Sequence, residues 1–299
     1  MKRQFVFHLI RIFLGVLFVF SALAKLYTID NFELYIFSQQ LFGFDVSTVV
    51  ARVVISLELA LGLLFLTNLY FKAVYKVTLY LMLSFSLFLA YKLIFSSSEN
   101  CNCFGNLIVF KPAESLLKNF IIIVLLLFIK NNSGTQVRFK KIFFALVLTF
   151  SLIFPVIFSP PDIIYRKIYS INNNRGDEEQ IQLSDSTLNI AQGKKVLAFF
   201  SQGCKYCVLA AHKISIIADK TNTRDDIYYV FFGDERNMDG FWNKSQSQKF
   251  RYSIIPFKEI VAITDGRLPS IFFVENGYIK QKSGYRDLTE EQFKTFFGK

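Results

Sequence analysis

Histidine, tryptophan and cysteine are scarce in this 299-residue chain, at 2, 1 and 4 copies. Four cysteines are too few for a disulfide-stapled mini-domain. Charged residues make up only 19%, against roughly 25% in ordinary soluble domains. Apolar residues fill the difference: 53% of the chain is hydrophobic and 17% aromatic, with 36 phenylalanines and a mean hydropathy of +0.36. That surplus excludes intrinsic disorder and exceeds what one soluble core of this size needs. The length allows about two domains. The net charge of +11 resembles a nucleic-acid signature until its placement is read.

The apolar surplus lies in the first half. Runs at 5–26, 49–70, 73–95, 113–129 and 142–159 are each close to the roughly 20 residues that cross a bilayer. The first run follows Lys2-Arg3 and imitates a signal peptide. It is too long for a typical signal core and four more runs follow, so it reads as a retained span. Pro160-Pro161 stops the last run, and the polar stretch through Asn172-Asn173-Asn174 and Asp177-Glu178-Glu179 reads as a linker. The expected organisation is a membrane domain over 1–132, a fifth transmembrane helix over 133–160, a linker over 161–184 and a soluble domain over 185–299.

Lysine and arginine set the expected orientation. Lys2, Arg3, Lys72, Lys76, Lys130, Arg138, Lys140 and Lys141 all fall on one side if the N-terminus is cytoplasmic. The 27–48 loop, with Asp30, Glu33 and Asp45, then faces outward with the 96–112 loop. Five spans deliver the C-terminal domain to that same outer side. Much of the basic excess is therefore topological, and nucleic acid is not an expected partner. All four cysteines, Cys101, Cys103, Cys204 and Cys207, fall on the outer side, where disulfides persist.

In the soluble domain, Lys195–Phe200 has a buried-strand pattern and leads through Gln202-Gly203 into Cys204-Lys-Tyr-Cys207. An amphipathic helix follows near 208–219. A strand at 227–232, a helix around 242–252, a strand at 270–274, an Asn276-Gly277 hairpin signal, a strand at 278–282 and a helix at 289–297 complete the order. Two residues between cysteines at a helix start place both sulfurs within bonding distance. The free N–H groups there favour a thiolate on the first cysteine, and Lys205 adds positive charge. No second CxxC or histidine pair accompanies this one to complete a zinc site; a purely structural disulfide is the other plain reading.

This order of elements over about 185–299 resembles the thioredoxin-like family. The resemblance implies that Cys204 attacks and Cys207 resolves. It also implies that Pro269 is the family's cis-proline, lying against the active-site sulfurs and seating the partner peptide. Gln202-Gly203 departs from the aromatic and small residues usual before the first cysteine. No clear match exists for the buried acid that assists thioredoxin's resolving thiol.

In the membrane half, Phe20-Ser-Ala-Leu-Ala-Lys25-Leu26 ends the first span. Arg52, Glu58 and Leu-Ala-Leu-Gly62 occupy the second, and Cys101-Asn-Cys103-Phe-Gly105 lies between the third and fourth. Together these resemble the MauE family of DoxX-like membrane proteins across about 1–132. MauE accompanies a thioredoxin-like partner in maturing the disulfide-rich small subunit of methylamine dehydrogenase. A carboxylate inside an apolar span is a functional-site candidate. Glu58 is therefore expected either to pair with Lys25 as a structural lock or to transfer protons. Arg52 is expected to snorkel to the interface. A CxC disulfide closes a small strained ring suited to exchange; soft-metal binding is the alternative, although no metal site is expected.

The expected fold is a membrane helical bundle, a four-helix MauE/DoxX-like core plus a fifth span, followed by an α/β thioredoxin-like domain. The expected function is a bacterial inner-membrane thiol–disulfide oxidoreductase. It would relay disulfides or electrons between a periplasmic CxxC and a membrane-loop CxC, acting on exported cysteine-containing clients. By analogy with other four-helix disulfide-generating enzymes, a quinone acceptor would sit in the bundle; the sequence does not show one. Two rivals stand beside this reading: a non-catalytic tethered factor that holds a client, and a soft-metal-handling protein.

Overall fold

A computed structural model describes residues 2–95, 112–130, 139–169, 179–185, 188–247 and 250–298. Cys101, Cys103 and residues 170–178 of the expected linker lie outside these residues. Contacts divide the chain into two compact units, one of 1–35 with 48–160 and one of 36–47 with 161–299.

The first unit is helical. Its elements are α1 (Lys2–Tyr27), α2 (Ile29–Ser38), α3 (Phe44–Thr67), α4 (Phe71–Phe95), α5 (Pro112–Ile129) and α6 (Lys140–Phe158), with α2 and α3 running on into the second unit at one end. Among the described residues, four stretches are long and apolar enough to cross a membrane: Gln4–Tyr27, Phe44–Thr67, Phe71–Ile94 and Lys140–Phe158. The expected span at 113–129 is the 18-residue α5. Exposed Phe13, Leu87 and Ile157 show that these helices turn large apolar side chains outward, as lipid-facing helices do. α1 and α3 cross at two glycines. A Cβ on Gly62 would stand 2.8 Å from the Val19 backbone nitrogen and 2.9 Å from the Gly15 carbonyl oxygen. Only small residues let two backbones approach this closely in a membrane bundle.

Two expectations for this unit are corrected. The 27–48 stretch is not a plain loop, because α2 occupies much of it and Glu33 is buried there. Arg52 does not snorkel. It is 4% exposed and donates to Glu33, to the Thr48 carbonyl at 2.7 Å, and to the Ser159 and Pro160 carbonyls at 3.1 and 3.2 Å. The carbonyls left unpaired at the end of α6 offer the planar guanidinium a better site than the interface does.

The second unit contains α7 (Asp162–Tyr169), β1 (Lys194–Ser201), α8 (Lys205–Thr221), β2 (Ile227–Phe232), α9 (Met238–Ser245), β3 (Arg251–Ile254), α10 (Phe257–Thr264), β4 (Ser270–Glu275), β5 (Tyr278–Ser283) and α11 (Glu290–Phe297). The sheet order is β3-β2-β1-β4-β5. β1 pairs in parallel with β2 and β2 with β3, whereas β4 runs antiparallel to both β1 and β5. β1 is central, and Val196–Phe200 are fully buried, hence their continuous apolar run. Alternate residues serve opposite faces. Leu197 and Phe199 join Ile260 of α10 in one cluster. Phe200 packs on Phe241 of α9, and Phe273 packs on Phe293 of α11. This is the thioredoxin-like fold.

Three local differences from expectation have physical causes. The helix expected around 242–252 stops at Ser245, because Gln246 adopts the left-handed conformation, and Tyr252 lies on edge strand β3. The expected linker begins as α7, and Ile181 at its far end is a core residue bonded to the 276–277 turn through the Gly277 carbonyl. α10 was not anticipated: its Phe257–Thr264 sequence is short and only one of its faces is buried.

Candidate functional site

The end of β1 turns through Gln202-Gly203 into α8, and Cys204 is the helix N-cap. Its Sγ accepts the Cys207 backbone N–H at 3.3 Å. The cap position normally belongs to Ser, Thr, Asp or Asn, whose side-chain oxygen answers the orphan amides of the first turn. Here a sulfur takes that role. Cys204 is half-buried, whereas Cys207 is fully buried. Cys207 Sγ accepts the Ser201 N–H at 3.4 Å. Burial pushes the Cys207 thiol well up, and its hydrogen bond with Cys204 pushes in the same direction. One sulfur is thus presented and the other is held back as a thiol.

Lys205 is exposed, its ammonium 5.6 Å from the Tyr206 ring centre. Leu268–Pro269 is a cis bond. Strand register places it at the site: Phe199 of β1 lies opposite Ser270 of β4, so Pro269 precedes β4 at the sheet end where β1 delivers the CxxC.

Sequence reasoning missed the role of Gln202. Its side-chain amide donates to the Asp234 carbonyl at 2.9 Å and to Met238 Sδ at 3.2 Å. A Cβ on Gly233, where φ is +122°, would approach Gln202 Oε1 to 3.0 Å. The turn before the CxxC is therefore pinned to the end of β2. The one available signal was the unusual glutamine itself, together with a glycine immediately after a strand. Lys213, a fully buried lysine on α8, was also missed, because in a helical pattern it reads as an ordinary polar position.

In the first unit, Lys25 Nζ donates to both Glu58 oxygens, at 2.8 and 2.7 Å, and to Ser21 Oγ at 2.8 Å. Ser21 in turn donates to Glu58 at 3.1 Å. The structure therefore brings Lys25 and Glu58 together. Among the described residues no group of three or more His, Cys, Asp or Glu could hold a metal ion.

The comparisons bear on both halves. Residues 3–130 match the family described as Methylamine utilisation protein MauE. The first unit has a MauE-like core. Protein TlpB of Flavobacterium psychrophilum is 26% identical over 351 aligned residues, covering 98% of this chain and 94% of that protein. The thioredoxin domain of a thiol-disulfide oxidoreductase from Bacteroides vulgatus superposes with a TM-score of 0.31 at 16% identity, covering 36% of this chain and 81% of that one. StoA from Bacillus subtilis gives 0.29 at 19% identity, covering 36% and 84%.

Proposed function

We propose that this protein relays disulfides between Cys204/Cys207 and the membrane-loop pair Cys101/Cys103, acting on exported cysteine-containing proteins at a bacterial inner membrane. The supporting observation is the asymmetry of the CxxC, a presented sulfur at a helix N-cap and a buried thiol three residues on. In the relay, the Cys204 thiolate attacks one sulfur of a Cys101–Cys103 disulfide, forming a mixed disulfide and releasing the other sulfur as a thiolate. Cys207 gives up its proton and attacks Cys204. A Cys204–Cys207 disulfide forms, the mixed disulfide breaks, and two electrons have passed to the loop pair. The reverse sequence runs through the same intermediate. The clustering of lysine and arginine supports a cytoplasmic N-terminus and a periplasmic thioredoxin-like unit.

The test is the redox state of the loop pair in living cells, read by trapping thiols with an alkylating mass tag. Cys204→Ala should drive Cys101/Cys103 wholly into one state. An unchanged distribution would overturn the relay and leave a client-holding role for the soluble unit.

A further inference from the structure

The second unit contains a segment far from it in sequence. Residues 36–47 belong to it, and the contacts are specific. Phe37 and Phe44 are buried and meet edge to face, their centroids 5.4 Å apart. Lys213 Nζ lies 3.4 Å from the Phe44 ring centre and donates to the Tyr285 carbonyl at 3.0 Å. Lys220, two turns further along α8, donates to the Phe42 carbonyl at 2.8 Å and lies 4.3 Å from the Phe37 ring. Arg166 of α7 pairs with Asp45 at 2.6 Å. A buried ammonium is costly unless carbonyls and aromatic faces replace its water. Segment 36–47 supplies Lys213 with one of its two aromatic faces and Lys220 with a carbonyl. Both lysines stand on the helix that begins with the CxxC.

We infer that residues 36–47 are the built-in docking peptide of the thioredoxin-like unit, held by Lys213 and Lys220 of the redox helix. A topological consequence follows. Two parts of one water-facing unit lie on one side of the bilayer, so the chain crosses an even number of times between Ser47 and Pro161. α3, α4 and α6 make three crossings, and α5 is the fourth. At 18 residues it extends about 27 Å, close to the hydrocarbon thickness. The inference rests on packing and is independent of the thiol relay, which fails or stands by its own redox test.

The experiment uses the full chain in native membranes, with photoreactive p-benzoylphenylalanine at Phe42 and a protease site placed within 170–178. Irradiation followed by cleavage should leave the two fragments of one chain joined. Lys220→Glu should lower the ratio of joined to separated fragments about tenfold, the shift in equilibrium constant expected from losing a charge-assisted hydrogen bond. As a second reading that leaves Phe42 intact, a membrane-impermeant amine reagent should modify Lys205 freely and spare Lys213, and Phe44→Ala should open Lys213 to it. Fragments that separate after irradiation, products joined only between two copies, or Lys213 labelled as fast as Lys205 would each overturn the inference.

Discussion

The two units bury charge in different ways, and the difference follows from what surrounds them. In the MauE-like unit, Arg52 with Glu33 and Lys25 with Glu58 are oppositely charged pairs; for Glu58, within an apolar stretch, hydrocarbon would offer an isolated charge no solvation. In the thioredoxin-like unit, buried polar groups are met mainly by backbone: Lys213 by the Tyr285 carbonyl and Cys207 by the Ser201 amide. Apolar side chains are inverted in the same sense. They cover the outside of the first unit and fill the sheet interfaces of the second. Ion pairs thus tie the helices of the first unit together, with backbone carbonyls completing the Arg52 site, whereas in the second unit backbone groups meet the buried Lys213 ammonium and Cys207 thiol by hydrogen bonds.

Truncating a phenylalanine on each side sharpens this contrast most. Phe200→Ala removes a ring at the centre of the sheet (0% exposed) and should cost about 3–5 kcal/mol. Phe13→Ala, on a ring 55% exposed on α1, should cost about 0.5 kcal/mol or less. Thermal unfolding in detergent, followed by probes in each unit, checks both. Similar losses would mean that Phe13 is not lipid-facing.

Arg52→Ala comes next. It removes the Arg52 partner of buried Glu33 and a donor to the carbonyls at the end of α6, so the loss should reach about 3–5 kcal/mol. Glu33→Gln should destabilise in the same direction, and Glu114→Gln, at an exposed position, should do little. Equal behaviour of Glu33→Gln and Glu114→Gln would break the paired-charge account.

A smaller effect is expected at Gly233. Gly233→Ala places a Cβ against Gln202 in a left-handed backbone position and should cost about 1–3 kcal/mol. It should also slow thiol exchange at Cys204, read with a chromogenic disulfide. Unaltered exchange would remove Gln202 from its positioning role.

The smallest effect is a difference of rate within the wild-type chain. Cys204 should alkylate at least about tenfold faster than Cys207 at neutral pH, because only the thiolate reacts and burial keeps Cys207 protonated. Because the Cys207 thiol is raised on folding, its contribution to stability is full below the unfolded value of about 8.5 and falls as pH rises above it. Peptide mass spectrometry after timed alkylation reads the ratio directly, and denaturation between neutral and alkaline pH reads the slope.

Much of this was legible in the sequence. The long apolar runs, the buried-strand run at 195–200, the Asn276-Gly277 turn and the Cys204–Cys207 motif at a helix start each depend on local chemistry, and the proline before β4 followed from the resemblance to thioredoxin-like proteins. Contacts distant in sequence were not legible. Arg52 read as an interfacial residue because the carbonyls that hold it come from residues 159–160, over a hundred positions away. Glu33 read as a loop acid because its partner lies on another helix. Lys213 and Gln202 read as ordinary polar residues because backbone carbonyls, which every residue carries, are what bind them. Secondary structure and motif chemistry are local properties, but pairing depends on the tertiary fold.

The most direct measurement of the proposed relay is a trap. Cys207→Ala removes the resolving thiol, so the adduct formed by Cys204 on the loop pair has no fast exit. With a protease site within 170–178, the two fragments should stay joined on a non-reducing gel. They should separate on reduction, or when Cys101→Ala and Cys103→Ala are added. Fragments that part without reductant, with Cys204 bonded instead to other proteins, would contradict the relay and leave the soluble unit serving clients independently of the membrane-loop cysteines.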